Sequence, residues 1–339
     1  MRAVTKTLRH VAIGLTGAAV LVVGMVAPAA AEGRIRIAEQ FGIGYLPLHV
    51  IRYQKLIEKH GKAQGVDIQV EWAQLSGGAA MNDALLSDSI DVGAGGVGPL
   101  LTIWDRTKGN ANVMGIATLN AMPLFLTTTN PNVKTVKDFT EKDKIALPAV
   151  KVSVQARTLQ MAAEQAFGEG KFDALDRFTV SLPHPDGTTA LLSGSSITGH
   201  FSAPPFQYQQ LQDPKVRKVL SSYDVLGGAS TFNSVWSKKA FRDSNPKTFA
   251  AFVGALREAM DVINKDHKQA ATIYLATNKA DMDIATIVKM LADPDIQFTV
   301  APKNTSKYAE FMHKVGALKN KPASWKDYFF EDVHGEQGS

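Results

Sequence analysis

Two stretches of the chain have the same pattern: residues 83–100 read DALLSDSIDVGAGGVGPL, and residues 189–206 read TALLSGSSITGHFSAPPF. In each, a helix pattern leads to a short strand and then to a turn whose proline opens another helix. The repeat predicts two related halves, each with an equivalent strand-to-helix turn. Without gaps, the stretches share the pairs Ala84/Ala190, Leu85/Leu191, Leu86/Leu192, Ser87/Ser193, Ser89/Ser195, Gly93/Gly199 and Pro99/Pro205.

Strand and helix patterns alternate on both sides of the repeat. Residues 34–40 (RIRIAEQ) alternate in period two, and Pro47 follows where a helix begins. Such alternation predicts an α/β fold with mainly parallel central sheets and flanking helices. Further strands are predicted at 67–75, 91–95, 113–118, 124–129, 144–147, 178–182 and 197–201, and helices at 77–89, 97–108, 153–167 and 187–192. The residues around Pro185, between His184 and Asp186, are predicted to form a turn.

The length of 339 residues fits about two domains. No Pro/Gly/Ser-rich linker separates two halves, so the chain is predicted to cross between lobes twice, near 119–124 and 220–230. Residues 32–121 plus 226–339 then form lobe 1, and residues 122–225 form lobe 2. From Lys238 the pattern is nearly all helical and returns to lobe 1. A core-facing stripe is predicted at Phe249, Phe252, Val253, Leu256, Met260 and Ile263.

The N-terminus has the pattern of a secretory signal peptide. Three cations, Arg2, Lys6 and Arg9, precede an apolar run over 11–26, and three alanines end at Ala31. We expect residues 1–31 to be removed on export; an uncleaved membrane anchor is the alternative. Because the chain has no cysteine for lipid attachment, we expect a free protein in the periplasm and not a lipoprotein.

Charge and composition exclude several function classes. The formal net charge is +5, from 37 Lys and Arg against 32 Asp and Glu, and removing the three N-terminal cations leaves 34 against 32, or +2. No basic stripe remains, so no nucleic-acid partner is expected. Without cysteine, disulfides, Cys-based metal sites and Cys nucleophiles are impossible. We expect no cofactor and no metal.

Strand-to-helix turns supply the candidate ligand site. In open α/β sheets ligands bind beyond the carboxyl ends of strands, where helix N-termini present unpaired N–H groups and partial positive charge. Six turns fit: 40–47, 76–78, 95–98 and 120–123 in lobe 1, and 151–155 and 202–206 in lobe 2. The candidate ligand-binding residues are Gln40, Gly44, Tyr45, Ser76, Gly77, Gly96, Val97, Asn120, Met122, Ser153, Gln155, Ser202, Pro204 and Phe206.

Four runs in this order resemble the nitrate/sulfonate/taurine-type periplasmic solute-binding family, which also contains pyrimidine-precursor binders: IAEQFGIGYLPLHV (37–50), SGGAAMNDALLSDSIDVGAGGVGPLL (76–101), TVKDFTEKDKIALP (135–148) and TTALLSGSSITGHFSAPPF (188–206). The resemblance extends from about residue 34 to 315. It implies a two-lobed periplasmic binding protein fold of type II, with two interlobe crossings. It also implies a monomer that closes over a small molecule and docks on an ABC permease with a cytoplasmic ATPase.

The resemblance places eight residues on ligand-facing loops: Gly44, Tyr45, Ser76, Gly77, Gly96, Val97, Pro204 and Phe206. One departure concerns the second lobe, where the family usually has a Gly-Ser pair opening the main helix and this chain has Val150-Lys151-Val152-Ser153. Backbone approach to a ligand is then less close, unless the charge of Lys151 compensates.

The expected ligand is a small organic anion, sulfonate-, taurine- or nitrate-like or aromatic. Helix N-termini are expected at one end of its pocket, and the apolar, aromatic wall is expected from Tyr45, Phe206, Met122 and Phe41. A neutral pyrimidine-type precursor is the alternative ligand, and ligand presentation to a membrane receptor is the alternative role. An enzyme is not expected: no G-x-S-x-G, H-E-x-x-H or P-loop motif is present, and His49, His184 and His200 are scattered. Of these, His200 precedes the Ser202 turn, where ligand contact and a structural role are both open.

Overall fold

A computed structural model describes residues 32–278 and 282–339. The predicted signal peptide, residues 1–31, lies outside the described residues. In the described part of the chain, no helix has the length and apolar character needed to cross a bilayer.

Ten strands of the described residues form two five-stranded sheets, A and B. They are β1 (Arg34–Glu39), β2 (Gln69–Gln74), β3 (Val92–Gly96), β4 (Val113–Thr118), β5 (Phe125–Thr128), β6 (Ile145–Leu147), β7 (Thr179–Ser181), β8 (Gly199–Phe201), β9 (Arg217–Ser221) and β10 (Asn233–Lys238). Sheet A has the order β2-β1-β3-β10-β4, and sheet B has the order β7-β6-β8-β5-β9.

The two sheets have the same topology. In sheet A, β1 pairs in parallel with β2 and β3, while β10 is antiparallel to β3 and β4. In sheet B, β6 pairs in parallel with β7 and β8, while β5 is antiparallel to β8 and β9. Four of the five strands in each sheet therefore run in one direction, which confirms the predicted mainly parallel sheets. The repeated stretches contain β3 and β8, the third strands of the two sheet orders.

Helices pack around both sheets. They are α1 (Leu46–Gln54), α2 (Leu56–Ala63), α3 (Gly78–Leu86), α4 (Val97–Thr107), α5 (Val154–Phe167), α6 (His184–Ser193), α7 (Phe206–Gln210), α8 (Ser222–Leu226), α9 (Lys239–Ser244), α10 (Pro246–Lys265), α11 (His267–Thr277), α12 (Ile284–Leu291) and α13 (Thr305–Lys314). The predicted stripe on α10 is confirmed: five of its six side chains are buried, and Val253 is partly buried against the core.

One helix begins earlier than predicted. The residues around Pro185 were expected to form a turn, with the helix starting at Gly187, but α6 begins at His184. Proline is tolerated in a first helical turn because its missing N–H has no intrahelical acceptor there. The correction matters because it puts the imidazole of His184 at a helix N-terminus.

Two short segments connect the sheets. Residues 119–124 lead from β4 to β5, and residues 227–232 lead from α8 to β10. Each enters the antiparallel strand of its new sheet, which explains why one strand in each sheet runs against the other four. These segments overlap the predicted crossings at 119–124 and 220–230. The lobe boundaries at 121/122 and 225/226 stay a prediction.

Two asparagines, one in the first connecting segment and one at the start of β10, bond to the first strand-to-helix turn. The Asn120 amide donates to the Gly44 carbonyl at 2.5 Å, and its oxygen accepts from the Asn233 backbone N–H at 3.3 Å. Asn233 in turn donates to the Tyr45 hydroxyl at 2.9 Å. All these groups are buried, so each bond satisfies a polar group that has no access to water.

Candidate ligand-binding site

A small cavity lies where turns of sheet A face turns of sheet B. Its volume is about 20 Å³, room for about one water molecule. Four helix N-termini reach it, those of α3, α4, α5 and α6. The lining residues are Gln40, Phe41, Tyr45, Gly78, Gly96, Pro99, Pro148, Ser153, Val154, Gln155, His184 and Phe232. We call this space the narrow cavity.

Glycines in the turns that follow the strands of sheet A let the turns of sheet B approach closely around the narrow cavity. A methyl group on Gly98 would lie 2.6 Å from the Val152 carbonyl oxygen, and one on Gly77 would lie 2.8 Å from that of Pro148. Real Cβ atoms do not come this close to backbone oxygen. Residues 150–153 lack the Gly-Ser pair that is usual in the family. Gly98, in the facing turn of sheet A, instead provides the room for close approach.

The narrow cavity is lined by uncharged groups. None of its twelve lining residues is Lys, Arg, Asp or Glu. Ser153 caps α5 by accepting from the Ala156 N–H at 3.2 Å. The N-cap residues of α3 and α4 are Gly77 and Gly96, so these two helices have no side-chain cap. Uncapped helix N-termini present N–H donors and partial positive charge. The Val97 N–H is an exception, because it donates to the Phe232 carbonyl at 3.2 Å.

Two buried histidines stand on the sheet B side. Burial lowers the pKa of His184 to about 3, and burial with the neighbouring imidazole holds the pKa of His200 well below its ordinary 6.5. Both rings are therefore neutral near pH 7. His184 Nε2 lies 3.2 Å from the Gln155 amide, and its Nδ1 lies 3.3 Å from His200 Nε2.

A second, wider cavity of about 810 Å³ shares Phe41 with the narrow one. The aromatic rings of Phe41, Trp72, Phe206 and Tyr274 form part of its wall. The other lining residues are Glu39, Gly42, Arg52, Ala73, Gln74, Pro185, Thr188, Thr189, Pro205, Gln209, Thr277 and Asn278. We call this space the wide cavity.

The wide cavity contains one buried carboxylate. Glu39 pairs with Arg52 Nη1 at 3.0 Å and lies 3.3 Å from His49 Nε2. The Arg52 guanidinium stands over the Trp72 ring, 5.4 Å from its centre, and Asn278 holds the other His49 nitrogen at 2.7 Å. Glu39 is thus neutralised by its own neighbours, so the wall carries little net charge.

The sequence profile of the NMT1-like family matches residues 35–277. The chain belongs to the NMT1-like family. No curated protein has significant sequence similarity to it.

Solved structures share the fold of this NMT1-like protein. The alkanesulfonate-binding protein SsuA from Xanthomonas axonopodis pv. citri bound to MOPS has 16% identity and a TM-score of 0.67, covering 86% of this chain and 96% of that one. The periplasmic aliphatic sulphonate binding protein SsuA from Escherichia coli has 18% identity and a TM-score of 0.62, covering 89% and 100%. The periplasmic nitrate-binding protein NrtA from Synechocystis PCC 6803 has 15% identity and a TM-score of 0.68, covering 88% and 84%.

At these identities the similarity establishes the fold, and it confirms the predicted periplasmic binding protein architecture. All three proteins are named for the compounds that they bind. Among residues 32–278 and 282–339, no three His, Asp or Glu side chains are placed to hold a metal ion.

The structure of the NMT1-like chain brings some of the predicted site residues together. Five line the narrow cavity, namely Gln40, Tyr45, Gly96, Ser153 and Gln155, and Phe206 lines the wide one. Seven others are buried and line neither cavity: Gly44, Gly77, Val97, Asn120, Met122, Ser202 and Pro204. Ser76 is exposed to solvent and lines neither cavity.

Two of these buried residues have clear structural partners. Asn120 bonds the connecting segments, and the Pro204 carbonyl accepts from the Ile43 N–H at 3.2 Å, which joins the two sheets' turns directly. Lys151 lines neither cavity: it is exposed and borders a separate space with Asp173, Asp176 and Arg177. Its charge therefore does not compensate for the missing glycine.

Sequence reasoning missed several lining residues. Phe41 is named for the aromatic wall but is absent from the fourteen candidate residues, although it lines both cavities. His184 was assigned to a turn, so its place at a helix N-terminus was not foreseen. Trp72 lies within a strand and Tyr274 within a helix, outside the six proposed turns, and no local signal identifies them.

Proposed function

We propose that this protein is the solute-binding component of an ABC importer and holds a small organic anion between the turns of its two sheets. The observation that carries the proposal is the convergence of four helix N-termini on one cavity whose lining side chains are uncharged. N–H donors and helix dipoles attract an anion there, and no acidic side chain of the lining opposes it. Sulfonate- and nitrate-binding proteins share the fold, which supports the same class of ligand.

Ligand entry requires the two sets of turns to separate. A volume of about 20 Å³ is too small for a sulfonate or any larger group. Residues 119–124 and 227–232 are the two connections between the sheets, and we propose that they act as hinges. Ligand that bridges both sheets then favours the closed form by the contacts it makes only there.

In this proposal the wide cavity is the entrance and receives the organic part of the ligand. Its four aromatic rings offer apolar surface, and Phe41 stands between the two cavities. An anionic group at the helix N-termini and an apolar body against these rings would fit one small organic anion. The closed protein would dock on a membrane permease with a cytoplasmic ATPase, after export to the periplasm as a free monomer.

The uncharged lining favours one second candidate, a neutral pyrimidine-type compound. Gln40, Ser153 and Gln155 offer amide and hydroxyl groups, while Phe41 and Phe232 offer ring faces. A flat heterocycle with ring nitrogens can use both kinds of contact.

The ligand class is testable by thermal unfolding of the purified mature protein with a panel of compounds: taurine, methanesulfonate, benzenesulfonate, nitrate and aminopyrimidines. A ligand at 100 times its Kd raises the free energy of unfolding by about 2.7 kcal/mol. Native mass spectrometry of protein purified from periplasm would identify a co-purified compound. We expect stabilisation by an anion; stabilisation by the pyrimidines alone would favour the second candidate.

A matched pair of variants locates the site. Gly96→Val adds side-chain atoms where a Cβ already lies 3.1 Å from Val154, so it should abolish the stabilisation. Gly335→Val, at an exposed position with open space around it, should leave the stabilisation unchanged. The proposal fails if no compound of the panel stabilises the protein and no ligand co-purifies.

A further inference from the structure

Four buried side chains form a continuous row behind the narrow cavity. The Gln155 amide lies 3.2 Å from His184 Nε2, His184 Nδ1 lies 3.3 Å from His200 Nε2, and His200 Nδ1 lies 2.8 Å from the Gln210 amide. Gln155 and His184 line the cavity, whereas His200 and Gln210 are fully buried behind it. The row therefore connects the ligand space to a group that the ligand does not touch.

The number of available protons limits how the three hydrogen bonds of this row can be directed. A neutral imidazole has one N–H donor and one acceptor nitrogen, so the two histidines supply two protons to three hydrogen bonds. If both glutamines directed their nitrogens at the imidazoles, four N–H groups would compete for the three bonds. One glutamine must therefore present its oxygen to the row, since the two amide orientations occupy the same space.

The surroundings indicate that Gln155 is the residue that presents its oxygen. Gln210 is held by three other groups: its nitrogen donates to Thr188 Oγ1 at 2.9 Å, and its oxygen accepts from Thr127 at 2.7 Å and from Ser202 at 3.4 Å. Turning Gln210 would require these hydroxyls to reorient. Among the described residues, the Gln155 side chain has no hydrogen bond besides the one to His184. Exchanging the positions of its amide oxygen and nitrogen therefore costs less free energy than the same exchange in Gln210.

The direction of every bond in the row then follows. Gln210 donates to His200 Nδ1, which puts the proton of His200 on Nε2. His200 Nε2 donates to His184 Nδ1, so the proton of His184 is also on Nε2 and is donated to the Gln155 oxygen. The amide nitrogen of Gln155 remains for the narrow cavity.

We propose that Gln210 is a positioning residue that acts through His200 and His184 to make Gln155 present its amide N–H group to the ligand. The row thereby selects a ligand with a hydrogen-bond acceptor at that point, such as an oxyanion, and disfavours one with a donor. This inference rests on the proposed function, because it assumes that the ligand occupies the narrow cavity. The opposite proton arrangement would expose the Gln155 oxygen and suit a pyrimidine amino group.

The first test needs no ligand. NMR of the ¹⁵N-labelled protein reports which ring nitrogen carries the proton of each histidine. We expect Nε2 to be protonated in both His184 and His200 of the ligand-free protein, assigned by loss of each signal in His184→Gln and His200→Gln. A proton on Nδ1 of either ring would overturn the inference, whatever the ligand is.

The second test compares Gln210→Met with Gln212→Met, which alters an exposed residue two positions further on. The probes are benzenesulfonate and its uncharged counterpart benzenesulfonamide. Without the Gln210 donor, the tautomers of His184 and His200 are no longer fixed. The ratio of the affinities for the sulfonate and the sulfonamide should then fall about tenfold, which corresponds to the loss of one charge-assisted hydrogen bond. Gln212→Met should leave this ratio unchanged. An unchanged preference in a folded Gln210→Met protein would contradict the inference. If neither probe binds the unaltered protein, the proposed sulfonate class fails, and the tautomer measurement still decides the row.

Discussion

Substituting Gly98 tests whether the two sheets' turns must approach as closely as the structure shows. Gly98 lies in the first turn of α4, and a Cβ there would be 2.6 Å from the Val152 carbonyl oxygen and 3.4 Å from the Val154 nitrogen. An ordinary contact begins at 3.4 Å, so Gly98→Ala requires a displacement of about 0.8 Å, from 3.4 minus 2.6. The obstructing atoms belong to the backbone and cannot rotate away.

The expected effect is on closure and not on folding. Overpacking of this kind costs about 1–3 kcal/mol, which reduces the closed population by a factor of roughly 5 to 150 relative to the open one. Alanine also has a better helix propensity than glycine, by at most about 1 kcal/mol. That gain applies to the open and closed forms equally, so it does not offset the loss of closure.

The assay is a distance measurement between two spin labels. The chain has no cysteine, so Ser87→Cys and Ser193→Cys, both at exposed positions near the ends of α3 and α6, introduce unique labelling sites. Pulsed electron spin resonance should show a longer mean distance for Gly98→Ala, with Gly335→Ala as the matched control in open space. Superimposable distance distributions for the doubly labelled parent, Gly98→Ala and Gly335→Ala would refute the reasoning.

Three further predictions concern stability, measured by urea unfolding. Asn120→Ala leaves the Gly44 carbonyl and the Asn233 N–H without their buried partner and should lower the free energy of unfolding by about 2–4 kcal/mol, whereas Asn110→Ala, in an exposed turn, should change it by under about 0.5 kcal/mol. Glu39→Ala removes the buried partner of a guanidinium and an imidazole and should cost about 2–4 kcal/mol; a loss below about 1 kcal/mol would show that the pair is unimportant. Because burial lowers the pKa of His184 to about 3, the unfolded chain takes up a proton below pH 6.5 that the folded chain does not. The free energy of unfolding should therefore fall as the pH decreases from about 6.5 toward 3. His184 contributes at most about 1.4 kcal/mol per pH unit to this fall and His200 adds to it, so His184→Gln should make the slope shallower without abolishing it.

Local patterns predicted the secondary structure well because each depends on near neighbours in the chain. The alternation in 34–40 became β1, and Ser153 caps α5 as the sequence indicated. The repeat at 83–100 and 189–206 correctly indicated two related sheets, since β3 and β8 occupy the same position in each. Two strands, β9 and β10, were not predicted. The error at His184 came from treating a proline in a first helical turn as a sign of a loop.

The candidate site was predicted in outline and not in detail. Strand-to-helix turns do surround the narrow cavity, because the strand ends of an α/β sheet share one edge. Which turn reaches the narrow cavity depends on how the two sheets face each other. Ser76 is exposed to solvent and lines neither cavity, whereas Phe41, in the turn after β1, lines both.

By itself, the sequence determined the α/β class, the place of most strands and helices and the presence of two similar halves, because hydrophobic periodicity and capping act over a few residues. The tertiary structure alone decided which side chains meet: Gln155 with His184, His200 with Gln210, and Asn120 with Asn233, 113 residues along the chain. Such contacts follow from the strand order and from the packing of one sheet's turns against the other's, and no short-range pattern encodes them.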